Sequence, residues 1–242
     1  MEISKGIFAH DLALYLKDHD ALVIGDVHLG FEETLGRQGY LIPHFQYKDI
    51  SEKLLEILKG LPKLKEIIIN GDLKHEFGII TRQEWTEITK LIDLMLLHCE
   101  KIVLIKGNHD VILAPIARKK GIEIQEHHAL GDIYICHGHK IPNDDNYKKA
   151  KLIVIGNEHP AATVRDGARF ETFKCFATGK WKEKKLIVMP SFNPLTTGSD
   201  LLREKLLSPF LHQNLLDFEI YIVADNKEIL HFGKLKNLKK QI

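Results

Sequence analysis

The sequence predicts an α/β fold with two β-sheets, and three observations support this prediction. Short apolar runs alternate with longer amphipathic segments in the first half of the chain, which is typical of strand–helix alternation. Strand-like runs with short connections follow in the second half. No repeat and no linker rich in Gly, Pro or Ser divides the 242 residues, so we expect a single domain over residues 1–242.

Apolar periodicity and turn residues define the elements predicted for the first half. In chain order these are a strand at 21–24, a helix at 49–61, a strand at 67–69, a helix at 81–97, a strand at 101–105 and a helix at 111–120. Thr81 is the predicted N-cap of the second helix, because Glu84 follows three residues later as in a capping box. Pro115 is expected to interrupt or kink the third helix.

The second half is predicted to consist mainly of strands. They are expected at 122–124, 132–136, 151–155, 168–178 and 185–189, with a final hairpin of 218–224 and 228–232. The segment 29–43 contains three glycines and is expected to be a plain surface loop or a mobile flap.

Composition excludes several classes of protein. Lys and Arg number 34 and Asp and Glu 33, so the net charge of +1 argues against a broadly basic nucleic-acid-binding surface. Hydrophobic residues make up 44% of the chain, which is too many for a disordered protein. No apolar run approaches the ~18–20 residues of a membrane span, and the start lacks the pattern of a signal peptide. Three widely spaced cysteines indicate unpaired thiols in a reducing cytoplasm.

Polar side chains follow five of the predicted strands at the point where each strand ends. The segments are Asp26-Val27-His28, Asn70-Gly71-Asp72, Asn108-His109-Asp110, His137-Gly138-His139 and Asn157-Glu158-His159. Ligands of open α/β sheets bind beyond the carboxyl ends of the strands. Carboxylates and imidazoles gathered at one edge are what a metal site requires, so the sequence predicts a metal centre there.

The residue types fit two ions better than one. Asp26 and His28 would lie on the same side of an extended backbone and could hold one ion together. Asp72 follows a glycine and could offer one oxygen to each of two ions. Two ions about 3.5–4 Å apart can activate water and stabilise an in-line displacement at phosphorus. Mixed oxygen and nitrogen ligands suit manganese, with iron, zinc or nickel as alternatives.

The five segments, in this order and each after an apolar run, resemble those of the calcineurin-like metallophosphoesterases. The resemblance covers residues 21–160, and the stretches 30–43 and 71–78 are similar to an archaeal-type branch distantly related to the DNA-repair nuclease subunit of that superfamily. It implies a four-layer sandwich, in which two mixed β-sheets are flanked by helices.

The resemblance also implies roles for individual residues. The implied ligands are Asp26, His28 and His159 for the first metal, Asn108 and His137 for the second, and Asp72 between the two. His109 would face the substrate and protonate the leaving oxygen or stabilise phosphoryl charge, and Asp110 would orient His109 or its loop. A water bridging the metals would supply the attacking hydroxide.

One position departs from the family pattern. The fifth segment of the family reads Gly-His-x-His, and Asn157 replaces the first His, a ligand of the second metal. An amide oxygen is a poorer donor than imidazole, so we expect a weaker second site. The family also contains members that lost ligands and serve as interaction scaffolds, which is the competing hypothesis from a different class.

The expected activity is metal-dependent hydrolysis of a phosphodiester, with nucleic acid as a candidate substrate because of the branch that the chain resembles. A phosphomonoesterase or a small-nucleotide phosphodiesterase is the alternative among enzymes. Three further residues are candidate substrate contacts: Arg37, His75 and His139. Arg37 could bind a phosphate from the 29–43 segment, since guanidinium groups pair with phosphate oxygens. The oligomeric state is not predicted.

Overall fold

The computed structural model describes the backbone of residues 1–76, 80–110 and 113–239. The strands are β1 Glu2–Ser4, β2 Ile7–His10, β3 Ala13–Leu16, β4 Ala21–Ile24, β5 Leu64–Asn70, β6 Cys99–Ile105, β7 Glu123–Gln125, β8 His128–Leu130, β9 Ile133–Cys136, β10 Leu152–Ile155, β11 Pro160–Asp166, β12 Arg169–Trp181, β13 Lys184–Val188, β14 Ser199–Asp200, β15 Glu219–Val223 and β16 Ile229–Lys234. The helices are α1 Phe31–Arg37, α2 Gln46–Lys59, α3 Arg82–Leu96, α4 Ala114–Lys120, α5 Asp145–Lys149 and α6 Leu235–Lys239. Single turns of 3₁₀ helix lie at Lys17–His19 and Pro209–Leu211.

The strands form two mixed sheets. The first contains β1 to β7 in sequence order, antiparallel from β1 to β4 and parallel from β4 to β7. The second has the order β14-β11-β12-β13-β10-β9-β8, and β15 and β16 continue from β12. Its strands β9, β10 and β13 are parallel. Parallel pairing brings the carboxyl ends of the central strands to one edge of each sheet.

The molecule has four layers, two sheets and the helices on either side of them, and two apolar clusters pack these layers together. The larger joins the inner faces of both sheets to the buried sides of α2, α3 and α4. The smaller packs the outer face of the second sheet against α5 and α6. The predicted α/β fold, with two mixed sheets flanked by helices, is therefore confirmed.

Some elements escape prediction. The sequence predicts nothing within residues 1–20 or over β11, although β1, β2 and β3 form the outer part of the first sheet. These three strands have three or four residues each, which is too short for an alternating pattern to stand out.

Two local predictions are wrong. Pro115 does not interrupt α4: it lies in the first turn of the helix, where its missing N–H breaks no hydrogen bond. Residues 111 and 112 of that predicted helix, and residues 77 and 78 of the 71–78 stretch, lie outside the described residues. The expected 29–43 loop contains α1, whose acidic first turn and Arg37 in the last turn suit a helix.

The N-terminus of α3 is capped as predicted. The Thr81 hydroxyl accepts a hydrogen bond from the Glu84 amide at 3.1 Å, and a Glu84 carboxylate oxygen accepts one from the Thr81 amide at 2.9 Å. The Thr81 hydroxyl also donates to Glu33 of α1 at 2.8 Å. The capping box thus fixes the start of α3 and ties it to α1.

Thr81→Ala should lower the free energy of unfolding by about 1 kcal/mol, because the cap is lost. That corresponds to a fall in Tm of about 2–4 °C for a chain of this length, measurable by differential scanning calorimetry. Thr86→Ala is the matched control, since Thr86 is exposed on the same helix and its hydroxyl, among the residues that the structure describes, bonds only the Arg82 carbonyl one turn earlier. Equal Tm values for the two variants would contradict the capping role.

Candidate metal centre

The candidate site lies where both sheets present the carboxyl ends of their parallel strands. Strands β4, β5 and β6 of the first sheet and β9 and β10 of the second end directly before the five polar segments. Seven of the predicted residues line one cavity of about 260 Å³: His28, Asp72, His75, Asn108, His109, Asn157 and His159. Asp26 and His137 are buried beneath them. The structure therefore brings the predicted ligands together.

Asp26, Asp72 and His137 form the buried base of the site. One carboxylate oxygen of each aspartate and a nitrogen of His137 lie within 4.8 Å of one another. His137 Nε2 is 3.4 Å from Asp72 Oδ2, and its Nδ1 is 3.6 Å from Asp26 Oδ1. His137 is thus shared between the two carboxylates.

A second group consists of Asp26, His28 and His159, whose ligand atoms also lie within 4.8 Å of one another. His159 Nε2 is 3.2 Å from Asp26 Oδ1 but makes no hydrogen bond within the described part of the chain. A nitrogen and an oxygen that lie this close without a hydrogen bond between them are placed as two ligands of one ion would be. His28 Nδ1 is also buried without a partner among the described residues. Unpaired buried nitrogens beside carboxylates fit a divalent cation.

Asn108 completes the donors on the other side of Asp72. Its Oδ1 lies 3.0 Å from His137 Nε2, while His137 Nδ1 lies 3.3 Å from the Asn70 carbonyl. An N–H donated to Asn70 would fix the imidazole tautomer and direct Nε2 towards Asp72 and Asn108. Asp72 Oδ2 is 3.7 Å from His28 Nε2 and 3.4 Å from His137 Nε2, so the carboxylate contacts both donor groups, as expected of a bridging ligand.

His109 is held by its backbone and by its ring. Its amide donates to Asp72 Oδ1 at 2.9 Å, and its Nδ1 contacts the His75 carbonyl. Its Nε2 lies 3.9 Å from Asp72 Oδ2, at the cavity. Nitrogens of His28, His75 and His109 lie within 4.8 Å of one another, so His75 belongs to the same surface.

Asp110 positions the loop. Its Oδ2 accepts the Gly107 amide at 3.0 Å and its Oδ1 accepts the Leu73 amide, also at 3.0 Å. These bonds join the ends of β5 and β6, so Asp110 acts on His109 through the loop. Burial, together with the charge of Asp72, raises the pKa of Asp110 to about 6.

The buried carboxylates dominate the electrostatics. Burial alone would lower the pKa of His137, but its hydrogen bond to Asp72 and the charges of Asp26 and Asp72 raise that pKa to about 9. Burial outweighs the same carboxylates at His28 and lowers its pKa to about 3. Burial and the neighbouring His109 lower the pKa of His75 to about 4. A proton on His137 thus partly balances the aspartates, and a metal must displace it.

The backbone of the site departs from the extended form expected for Asp26 and His28. Strand β4 ends at Ile24, and the φ angles of Asp26 and His28 are 54° and 48°. Asp72, Asn157 and His159 also lie in the left-handed region, at 46°, 63° and 51°. The expectation of an extended Asp-x-His is wrong, because left-handed turns rather than strand alternation direct these side chains inward.

Three glycines leave the space that these side chains occupy. A Cβ at Gly71 would overlap the His137 ring, one at Gly107 would overlap Asp72, and one at Gly156 would overlap Asp26. The Gly71 φ of +82° is also unfavourable for any other residue. Glycine is required at these three positions because the ligand side chains approach the backbone too closely for a Cβ.

The remaining candidates lie around this centre. Arg37 is paired with Glu33 at 2.6 Å and Glu76 at 3.5 Å, and it does not line the cavity. The His139 ring is 5.3 Å from that of His137, behind the cavity lining. Asn157 lines the cavity, and its backbone N–H donates to Asp26 Oδ2 at 3.1 Å. Their roles in substrate or metal binding stay predictions.

A polar segment after β13 belongs to the site but was not among the predicted site residues. The Ser191 hydroxyl donates to the Asp26 carbonyl at 2.7 Å, and Asn193 lines the cavity. Gln46 connects Asn193 to the His28 carbonyl through its side-chain amide, at 3.1 and 2.8 Å. The signal was present, since β13 is another parallel strand followed by polar residues.

A model of the calcineurin-like phosphoesterase family matches residues 20–223, which includes every candidate ligand. The chain belongs to the calcineurin-like phosphoesterase family. The resemblance inferred from the five segments is confirmed, and the protein is a hydrolase that acts on phosphoester bonds. Family membership implies divalent metal ions, and the donor groups described above fit them.

The phosphoesterase also resembles solved structures. The nuclease MPE of Pseudomonas putida is 18% identical, with a TM-score of 0.65, covering 93% of this chain and 94% of that one. Yfce, a phosphoesterase from E. coli, is 13% identical, with a TM-score of 0.41 and coverage of 88% and 98%. The first likeness shows the shared fold. No curated protein matches the phosphoesterase significantly. None of the described helices is long and apolar enough to cross a bilayer.

Manganese should stabilise the phosphoesterase, because an ion bound only by the folded state contributes RT ln(1 + [L]/Kd). At about 100 times Kd this is about 2.7 kcal/mol, or a rise in Tm of about 5–10 °C. Asp72→Asn should lose most of this rise, whereas Asp93→Asn, at an exposed ion pair with Lys120, should keep it. An equal rise in both variants, followed by differential scanning fluorimetry, would show that Asp72 is no ligand.

Asn157→His should raise occupancy of the second metal, because imidazole is the better donor. The left-handed backbone of Asn157 is compatible with histidine, which is enriched in that region together with Asn and Asp. Metal content per protein, measured by inductively coupled plasma mass spectrometry after dialysis against manganese, should increase. Unchanged content would count against a weak second site at Asn157.

Proposed function

We propose that the protein is a divalent-metal-dependent phosphodiesterase, with nucleic acid as its substrate and manganese as its metal. The observation that carries this proposal is the position of Asp72 between two donor groups. One group is Asp26, His28 and His159, and the other is Asn108 and His137; Asp72 Oδ2 lies 3.7 Å from His28 Nε2 and 3.4 Å from His137 Nε2. This arrangement suits two ions that share one carboxylate. The donors come from both sheets, so they are held by the core of the fold.

The lining of the cavity favours a diester over a monoester. Among its described residues there is no Lys or Arg: the side chains are imidazoles, amides, one carboxylate, one hydroxyl, Phe31 and Leu207. The second negative charge of a monoester would find no lysine or arginine among these side chains. A diester carries a single charge, which the ions can balance. A phosphomonoesterase or a small-nucleotide phosphodiesterase remains the alternative.

Each protein group has a distinct task in this proposal. When bound, the divalent ions supply Lewis-acid activation of water and of the phosphoryl group. Ring Nδ1 of His109 is anchored on the His75 carbonyl, which leaves Nε2 directed at the cavity. A protonated Nε2 would donate its proton to the leaving oxygen. Asp110 keeps the loop in place, and Gln46 and Asn193 support the His28 backbone.

Two observations support the further parts of the proposal. The Pseudomonas putida relative is described as a nuclease, which agrees with a nucleic-acid substrate. The three cysteines are free and buried, which agrees with a reducing cytoplasm. The competing scaffold hypothesis rests on Asn157 alone, whereas the other ligands and His109 are all present.

His109→Ala should lower kcat on phosphodiesters by about 100-fold or more, since general acids contribute about 10²–10⁴-fold. The loss should be larger for a dinucleotide, whose alkoxide leaves poorly, than for bis(p-nitrophenyl) phosphate, whose nitrophenolate leaves easily. Metal content should not change. The two substrates are assayed with manganese by chromatography and absorbance.

His19→Ala is the matched control, because His19 lies before β4, at the opposite end of the strand from the site. An equal loss for both substrates would contradict the role as general acid. Absence of bound metal and of any activity with manganese, iron, zinc or nickel would favour the scaffold.

A further inference from the structure

The hairpin of β11 and β12 carries an exposed aromatic ring between two arginines. Arg165 and Phe170 are cross-strand partners, so their side chains share one face of the hairpin. The guanidinium carbons of Arg165 and Arg203 lie 5.5 and 5.4 Å from the centre of the Phe170 ring. Phe170 is 53% exposed, and both arginines are exposed. We call Arg165, Phe170 and Arg203 the hairpin cluster.

The positive charge of the hairpin cluster is not neutralised by the described side chains. None of their carboxylates pairs with Arg165 or Arg203, in contrast to Arg37, which has two glutamate partners. The Arg165 Nε donates to the Gly167 carbonyl at 2.7 Å, which holds its guanidinium beside the ring. The cluster therefore presents two pre-positioned cations and an apolar ring to solvent, a combination that suits nucleic acid.

The hairpin cluster lies close to the metal centre. Strand β11 begins directly after His159, and Arg165 is six residues further, or about 20 Å along the strand. Arg203 precedes Leu207 by four residues, which places it within about 14 Å of a residue that lines the cavity. Among the described strands, residues 169–174 of β12 pair with β11 alone, so this part of the hairpin extends beyond β13 and β15.

A polar surface connects the two places. Thr196 lines the metal-centre cavity and also a neighbouring cavity of about 280 Å³. Thr172 and Lys174 line that second cavity. They share a face of β12 with Phe170, because side chains alternate along a strand. A strand leaving the metal centre would thus meet the hydroxyls of Thr196 and Thr172 before it reaches Phe170, whereas the Lys174 ammonium group already donates to the Ser191 and Asn193 carbonyls.

We propose that the hairpin cluster binds a single-stranded polynucleotide whose scissile phosphodiester lies at the metal centre; this rests on the proposed function. Arg165 and Arg203 bind backbone phosphates, and Phe170 stacks on an unpaired base. A separation of up to about 14–20 Å corresponds to at most about four to six nucleotides at about 3.4 Å each, the rise of stacked bases along one strand. Strands longer than that gain affinity from the cluster, and shorter ones do not.

Three variants test this assignment: Phe170→Ala, Phe170→Trp and the double variant Arg165→Gln/Arg203→Gln. The matched control is Arg118→Gln/Lys149→Gln, which removes equal charge from exposed positions on α4 and α5. Binding of a labelled oligothymidylate of about 20 nucleotides is measured by fluorescence anisotropy at several salt concentrations. The measurement uses manganese and the His109→Ala background, in which cleavage is slow.

Phe170→Ala should weaken binding about tenfold, and Phe170→Trp should retain it, because the stacking surface is kept. The double arginine variant should make the slope of log K against log salt shallower by about 1.4, from two phosphate contacts. In the native His109 background, kcat/KM for oligonucleotides longer than about six nucleotides should fall by similar factors. The kcat/KM of the same variants for bis(p-nitrophenyl) phosphate should not change.

Equal affinity and equal salt slopes in the hairpin and control variants would overturn the proposal. An equal loss of kcat/KM for dinucleotides and for long strands would also overturn it, because the hairpin cluster would then affect the metal centre rather than bind the distant part of the strand. Tighter binding of a duplex, unaffected by Phe170→Ala, would also refute stacking on an unpaired base. Failure of the proposed function is separate: the native protein would hydrolyse no bis(p-nitrophenyl) phosphate with manganese.

Discussion

The burial of two carboxylates close together is the constraint on which the site depends. Asp26 is fully buried and Asp72 is 3% exposed, and both contact His137. Moving an ionised carboxylate out of water costs several kcal/mol unless opposite charge or hydrogen bonds compensate it. The imidazoles and the backbone amides of Asn157 and His109 provide part of that compensation. Divalent cations would supply the rest, so the same arrangement that costs folding energy would create metal affinity.

The compensation requires an unusual backbone. Five of the candidate ligand positions have left-handed φ angles, each costing on the order of 1 kcal/mol for a residue with a side chain. Such angles persist because neighbouring segments fix them: the Asp26 amide donates to the Gly71 carbonyl at 3.1 Å and the His28 amide to the Asp72 carbonyl at 2.9 Å. The two large apolar clusters stabilise the fold and so offset the energetic cost of this backbone strain.

Much of the fold and of the candidate site could be predicted because each of the five strands that lead to the site ends in an apolar run that is followed by polar residues. Ile67–Ile69 before Asp72 and Ile102–Ile105 before Asn108 illustrate this. The left-handed geometry at Asp26 and His28 could not be predicted, since it depends on pairing with a distant loop. The same holds for Ser191, whose contact with Asp26 joins residues 165 positions apart. Helix α1 was hidden by Gly36, which lowers the helical signal but is tolerated in so short a helix.

The division of the ligands between the sheets has a mechanical consequence. Asp26, Asp72 and Asn108 follow strands of the first sheet, and His137 and His159 follow strands of the second. Bound ions would therefore link the two sheets of the sandwich, because each sheet supplies some of the ligands. A single cut in the backbone between β7 and β8 would leave two fragments, neither with a complete set of donors. Retention of metal by such a nicked protein would report directly that the two sheets remain assembled.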